Sequence, residues 1–349
     1  MRSGVLGGEI ILSGIRPTGR LHLGNYFGAI RHFLRLQESG MACYYFIADY
    51  HALTTAASRV DYTRQTIDML RTYVACGLDP ARSVIYRQSD LPATAELALL
   101  LGMVTSVGYL ERGTTWKDKR ARLARQDGEE GNPLSYGLLG YPVLMAADIL
   151  IVQADKVPVG DDQRQHVEMA KDIAQRFNSR FDRSVFRIPA SVERDALRLP
   201  GLDGSAKMGK SENNAIDLLD DPATVLQKIK SVPTTTDPGP LDTPSDSPEA
   251  VIPLMPPSVG ALYRLLHLVA PDEMYLDFVG KYRRGEKFYG SLKGALAGQI
   301  SRFNAPILER YRDPANNDDA VRDFLAANAK RVAPVAQATV QAAREAMGL

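Results

Sequence analysis

Lys207-Met208-Gly209-Lys210-Ser211 and, far upstream, His22-Leu23-Gly24-Asn25 are the two clusters whose residue types suit phosphate chemistry. Lysine is a flexible point charge, so Lys207 and Lys210 can follow a pyrophosphate as it separates from an adenylate. Gly201, Gly204 and Gly209 favour a loop there that opens and closes. Upstream, Pro17-Thr18-Gly19-Arg20-Leu21 leads into His22 at what reads as a strand-to-helix junction. Backbone N–H groups at a helix N-terminus attract anions, and Gly24, lacking a side chain, lets a nucleotide come close. His22 and Asn25 can donate to polyphosphate oxygens. Neither cluster is a Walker loop, which places four residues between its first glycine and a Gly-Lys-Ser/Thr ending. Taken singly, His22 and Asn25 read equally well as capping and turn residues, and the lysine cluster as an exposed basic loop. Their order and separation favour the phosphate reading.

A third cluster is Tyr141, Met145 and Asp148, spaced i, i+4 and i+7 and therefore on one face of a helix. A buried carboxylate there can accept an N–H while a thioether packs against an aromatic ring. On spacing alone, a surface acid at Asp148 and a core methionine at Met145 is the simpler account.

Elements must position these groups. Glu9 to Gly14 predicts a buried parallel strand ending at Gly14 and Pro17, and Asn25 to Leu36 carries apolar residues at helical spacing. Ala42 to Ala48 and Ser83 to Tyr86 are further apolar strands. Strands buried on both faces and separated by helices predict a doubly wound, Rossmann-like parallel α/β sheet, whose ligands gather at the carboxyl ends of the strands. Gly14 to Asn25, Asp49 to His51 and Arg87 to Asp90 fall at those ends. The charged stretch Glu111 to Glu130 reads as an exposed excursion from the sheet, and Ser231 to Pro257, rich in Pro, Thr, Ser and Asp, as a long loop. Val259 to Val269, Ala295 to Tyr311 and Ala320 to Met347 predict a helical C-terminal domain. The division is 1–220, interrupted by an insertion around 105–140, then 221–349.

The 349 residues are 45% hydrophobic and 24% charged, which provides ample core for a large domain and a smaller one. A net charge of +1 means that any nucleic-acid surface must be local. Cys43 and Cys76 lack metal or disulfide spacing and read as buried thiols of a reducing cytoplasm. No segment predicts a secretion signal or a membrane span.

On the two signatures, and on Phe46-Ile47-Ala48-Asp49-Tyr50-His51-Ala52, Leu110-Glu111-Arg112, Tyr141 to Leu150 and Val157-Pro158-Val159-Gly160-Asp161-Asp162-Gln163, the chain resembles class I aminoacyl-tRNA synthetases. Most closely it resembles the bacterial tryptophanyl-tRNA synthetases, over most of its length. The resemblance implies a Rossmann catalytic domain, a helical domain contributing to anticodon recognition, ATP with Mg2+, no protein-held metal, L-tryptophan and tRNA(Trp) as substrates, a homodimer, and a cytoplasmic location. Arg16, Pro17, Thr18, Gly24 and Asn25 would contact ATP, with Gly160, Asp161 and Asp162 at its ribose and Arg198, in a strand before the lysine loop, at adenine through its backbone. Lys207, Met208, Gly209, Lys210 and Ser211 would complete the nucleotide site. His22, Asn25, Thr18, Lys207 and Lys210 would be catalytic. Tyr141 and Gln163 would hold the amino and carboxylate groups of tryptophan, His51 would line its pocket, and Met145 and Asp148 would read the indole. His166 receives no catalytic role, and Lys117 or Lys119 resembles a further phosphate-contacting lysine. Lys228, Lys230, Lys281, Arg283, Arg284 and Lys287 are candidates for a local basic surface.

Three positions depart from the family. Gly209 stands where serine is usual, Arg16 where glutamine is usual, and Leu12 where an aromatic often underlies the indole. An auxiliary enzyme with altered tuning is the corresponding hypothesis. A tyrosyl enzyme, which typically has glutamine at Met145, is the second reading, and a non-catalytic RNA-binding relative the third.

Overall fold

The computed structural model describes residues 8–54, 59–123, 135–194, 196–209, 212–234, 246–286 and 288–349. The chain begins with β1 (Ile10–Ile15), then α1 (Leu23–Asn25), which runs through a π-helical segment, Tyr26–Ile30, into α2 (Arg31–Glu38). β2 (Ala42–Ile47), α3 (Asp49–Leu53), α4 (Tyr62–Cys76) and β3 (Val84–Arg87) complete the first half of the sheet, and a 3₁₀ turn, Gln88–Asp90, follows. Helices α5 (Pro92–Gly102), α6 (Val107–Leu110), α7 (Thr114–Leu123) and α8 (Tyr136–Ile151) precede β4 (Lys156–Val159), α9 (Asp161–Arg180) and β5 (Ala190–Glu193). The remainder is helical: α10 (Pro222–Lys230), α11 (Pro248–Val251), α12 (Pro257–Val269), α13 (Asp272–Arg283), α14 (Tyr289–Arg312) and α15 (Asp318–Met347).

The sheet is parallel throughout, in the order β3-β2-β1-β4-β5. Chain order therefore runs outward from β1 in one direction and restarts beside β1 in the other, so a topological switch lies between β1 and β4. All six residues of β2 are buried, as expected of a strand covered on both faces. Its alternate residues separate cleanly. Cys43, Tyr45 and Ile47 enter one core with α4 and α14, while Ala42, Tyr44 and Phe46 enter the other with α5, α8 and α9.

The predicted strands stand within a residue of their expected ends. The first helix does not run on as expected, because the π-helical segment interrupts it where Tyr26 and Phe27 pack against Phe303 of α14, with ring centroids 4.9 and 5.7 Å away. The charged stretch is also more regular than expected: Thr114–Leu123 is helical, and residues 124–134 lie outside the described residues. The C-terminal helices serve both cores. α14 contributes Leu292, Leu296 and Ile300 to the first, and α15 contributes Val332, Ala336, Val340 and Ala343 to the second, beside Tyr44 and Val84. Among the described residues no helix is long and apolar enough to cross a membrane.

Candidate active site

A cavity of about 410 Å³ opens at the carboxyl ends of β1, β2 and β4, at the switch point. Its floor is apolar: Leu12 and Gly14 of β1, Phe46 of β2 and Val157 of β4. Gly14 is needed there, because a Cβ would stand 2.8 Å from the Phe46 ring. Helix α8 forms a wall through Tyr141, Met145 and Ile149, and His51 of α3 faces it. Gly160 and Gln163, at the start of α9, close the mouth together with Arg16 and Arg194.

Asp148 is 2% exposed and stands behind this wall. Gln88, itself 1% exposed, donates from Nε2 to both carboxylate oxygens at 2.8 and 3.0 Å, and His51 Nε2 lies 2.8 Å from Oδ2. An ionised carboxylate only accepts, so against it His51 carries its proton on Nε2. Burial pushes the Asp148 carboxyl up, and the hydrogen bonds from His51 and Gln88 oppose that push. Each bond to a charged group is worth about 1.5–3 kcal/mol, which offsets the loss of water around the buried charge. Gln88 also accepts the Tyr50 N–H at 3.1 Å, tying α3 to the turn after β3. Tyr141 is held in the same manner: its hydroxyl lies 2.7 Å from Nε2 of His166, which is 1% exposed. Thus Gln88 and His166 position the two polar groups that the spacing of α8 singles out.

The two sequence signatures lie on loops and a short helix. His22 caps α1, donating its backbone N–H to Asn25 Oδ1 at 3.0 Å. The flanking residues pair with chain from beyond the lysine motif: Leu23 N–H donates to Ile216 O and Leu218 N–H to Leu21 O, both at 2.9 Å, around a bridge between His22 and Asp217. Met208 is 1% exposed, and a Cβ at Gly24 would come within 3.3 Å of its own Cβ. The two signatures, remote in sequence, lie side by side, with no room between Gly24 and Met208 for a further side chain. Lys207, by contrast, is exposed. Asn214 holds the loop from behind, and the sequence offered no signal for it.

The remaining candidates divide. Arg16 and Thr18 are exposed beside Pro17, which is buried, at the end of β1. Gly160 lines the cavity at the start of α9, Asp161 and Asp162 are the first residues of that helix, and the side chains of these two lie outside the described residues. So do Lys210 and Ser211, and Lys287 likewise. Arg198 is not in a strand: β5 ends at Glu193, and Arg198 lies in irregular chain whose neighbours Leu197 and Leu199 bond to Phe27 O and Met208 N–H. Four of the six basic candidates of the helical region carry partners, and Lys230 is exposed. Lys228 pairs with Asp220 at 2.6 Å, Lys281 with Asp277 at 2.6 Å, Arg284 with Glu286 at 2.6 Å, and Arg283 with Asp246. They are local ion pairs more than a net positive surface. No group of three His, Cys, Asp or Glu suited to a metal occurs among the described residues.

Residues 9–255 match the family model of class I tRNA synthetases for W and Y. The tryptophan–tRNA ligase of Porphyromonas gingivalis is 42% identical over 342 residues, covering 97% of this chain and 99% of that protein. The tryptophan–tRNA ligase of Fusobacterium nucleatum is 38% identical over 339 residues, covering 97% of each. Among solved structures, the tryptophanyl-tRNA synthetase of Campylobacter jejuni, in complex with ADP and tryptophan, superposes with a TM-score of 0.81 at 31% identity, covering 97% of this chain and 100% of that one.

Proposed function

We infer that this chain, which belongs to the class I tRNA synthetases of the tryptophan and tyrosine group, is a tryptophan–tRNA ligase. It activates L-tryptophan with ATP and transfers the tryptophanyl group to tRNA(Trp). The observation that carries the reading is a cavity at the sheet's switch point, lined by Tyr141 and Met145 of α8, with the buried carboxylate of Asp148 on the same helix.

In the first step a tryptophan carboxylate oxygen attacks the α-phosphorus of ATP. The bond to the bridging oxygen of the β-phosphate breaks, and pyrophosphate leaves with that electron pair. No side-chain nucleophile is needed, so catalysis consists of positioning and charge stabilisation. Met145 would pack against the indole, and Asp148, whose carboxylate has about four acceptor sites, would accept the indole N–H beside its bonds to Gln88 and His51. Tyr141 and Gln163 would hold the amino and carboxylate groups. Gly160 to Asp162 would meet the ribose, and the backbone at Arg198 the adenine. Arg16, Pro17, Thr18, His22, Gly24 and Asn25 would face the phosphates, joined by Lys207, Lys210 and the loop residues Met208, Gly209 and Ser211. Mg2+ would arrive on the phosphates of ATP. In the second step a hydroxyl of the terminal ribose of tRNA attacks the adenylate carbonyl, and AMP leaves.

Residues 1–220 would form the catalytic domain, with the insertion around 105–140, and the helices of 221–349 would contribute to anticodon recognition. A homodimer would cover Leu99, Met103 and Val107, which are 60%, 62% and 60% exposed on α5 and its continuation into α6. The reaction would take place in the cytoplasm. The test is amino-acid-dependent exchange of labelled pyrophosphate into ATP without tRNA. Exchange with tryptophan and not with tyrosine is expected. Exchange with tyrosine would overturn the reading of Met145 and Asp148, and no exchange with either would favour the non-catalytic RNA-binding alternative.

A further inference from the structure

Asn214 is 3% exposed, and both halves of its amide are engaged. Oδ1 accepts the Gly209 N–H at 2.8 Å. Nδ2 donates to Ser205 Oγ at 2.8 Å, to Asp203 Oδ1 at 3.0 Å and to Lys207 O at 3.3 Å. Two of these four bonds grip the backbone of the lysine motif, one on each side of Met208. The surroundings are shaped for this amide. A Cβ at Gly201 would stand 2.0 Å from Asn214 Nδ2, so the neighbouring turn carries no side chain where the amide passes. Leu202 N–H donates to Asn214 O at 2.9 Å, and Asn213 turns the chain with a left-handed φ of 51°. Just beyond lie Ile216 and Leu218, which pair with the first signature. Lys207 is thus an exposed ammonium on a short piece of chain clamped by the buried Met208 side chain in front and by Asn214 behind.

We propose that Asn214 is a positioning residue for adenylate formation: its amide fixes the backbone of Lys207 to Gly209, and so sets where the Lys207 ammonium meets the departing pyrophosphate. The proposal rests on the reading that the lysine motif serves ATP. It requires an amide specifically. Aspartate has the same size and still accepts from Gly209, but it offers no N–H and sets a second carboxylate against Asp203. Exchanging the two groups, in Asp203→Asn with Asn214→Asp, restores one donor facing one acceptor.

The experiment compares the full chain with Asn214→Ala, Asn214→Asp and the Asp203→Asn/Asn214→Asp double variant. Tryptophan-dependent pyrophosphate exchange and equilibrium dialysis of labelled tryptophan are both measured. The single variants should lose kcat on the order of 100-fold, the effect of misplacing a catalytic charge by about 1 Å. Their affinity for tryptophan should stay within about twofold, because that ligand's site is built from other elements. The double variant should recover about tenfold of the loss, a coupling expected of groups in direct contact. Unchanged kcat in the single variants overturns the proposal. So does a parallel loss of tryptophan affinity, or no recovery in the double variant, since either outcome is what a purely structural asparagine would give. A wild-type chain that catalyses no exchange fails the functional reading itself, and the proposal falls with it.

Discussion

Along α8 the polar groups are held by partners on other elements: Asp148 by Gln88 and His51, Tyr141 by His166. Around the lysine motif, by contrast, Lys207 is exposed and lies outside helix and strand, and the backbone beside it is bonded by a single asparagine, Asn214. A pocket that must tell one side chain from another gains from groups fixed before the ligand arrives, because unpaired buried donors and acceptors then reject the wrong one. A charge that must follow a leaving group gains from a long flexible side chain on a backbone held in place.

The contrast can be broken at Lys207. Lys207→Ala should lower kcat for adenylate formation on the order of 1,000-fold, the upper range for losing one preorganised charge-stabilising group. Tryptophan binding should be untouched, and a loss of it in equilibrium dialysis would show that the two sides are not separable. Asp148→Asn is the reciprocal test. It should cost about 100-fold in kcat/KM for tryptophan, as the loss of hydrogen bonds to a charged group implies, with little change in KM for ATP.

The same variant carries a pH signature. Burial holds the Asp148 carboxyl above its ordinary range, so the folded state binds this proton more tightly than the unfolded chain. Its contribution to stability is fully present below the ordinary carboxylate value and is lost as pH rises through the raised one. Urea unfolding from about pH 4, near that ordinary value, toward neutrality should therefore move the stability difference in favour of Asp148→Asn. A pH-independent difference would contradict the burial argument. The smallest effect is expected at Gly209. Gly209→Ser adds a hydroxyl to the loop and should raise the rate about fivefold, the value of one net hydrogen bond. Equal rates would remove the idea of an auxiliary enzyme tuned by its glycine.

Much of this was legible in the residues. β1, β2 and β3 are apolar runs with turn residues after them, and the face shared by Tyr141 and Met145 does line the cavity. β4 and β5 were not legible. Pro158 lies within β4, where a proline normally argues against an interior strand, and its recorded ladder with β1 is the single pair Ile11 and Lys156. β5, Ala-Ser-Val-Glu at the sheet edge, has no fully buried residue and so no hydrophobic pattern. Gln88, His166 and Asn214 were missed or left without a role for a common reason. A polar residue acquires its meaning from partners 60, 25 and 5 to 11 positions away, and only the folded chain brings those partners within reach. The strand around Arg198 is implied by the resemblance alone: the chain there alternates charged and apolar residues, and its neighbours bond to Phe27 and Met208 and not to the sheet.

Helix α15 packs Val332, Ala336, Val340 and Ala343 onto the same core as Tyr44 and Val84. The ribosome delivers this helix after every strand that it covers. Until then the second face of the sheet has an unsealed apolar seam, and the nascent chain carries a sticky, incomplete form of its own catalytic fold. A ribosome stalled shortly before Val332 would release a product with both phosphate signatures and the whole sheet, yet without the last plank of its core. A chain cut before Val332 should therefore fail first in solubility and quality control, because the core on that face of the sheet is left open.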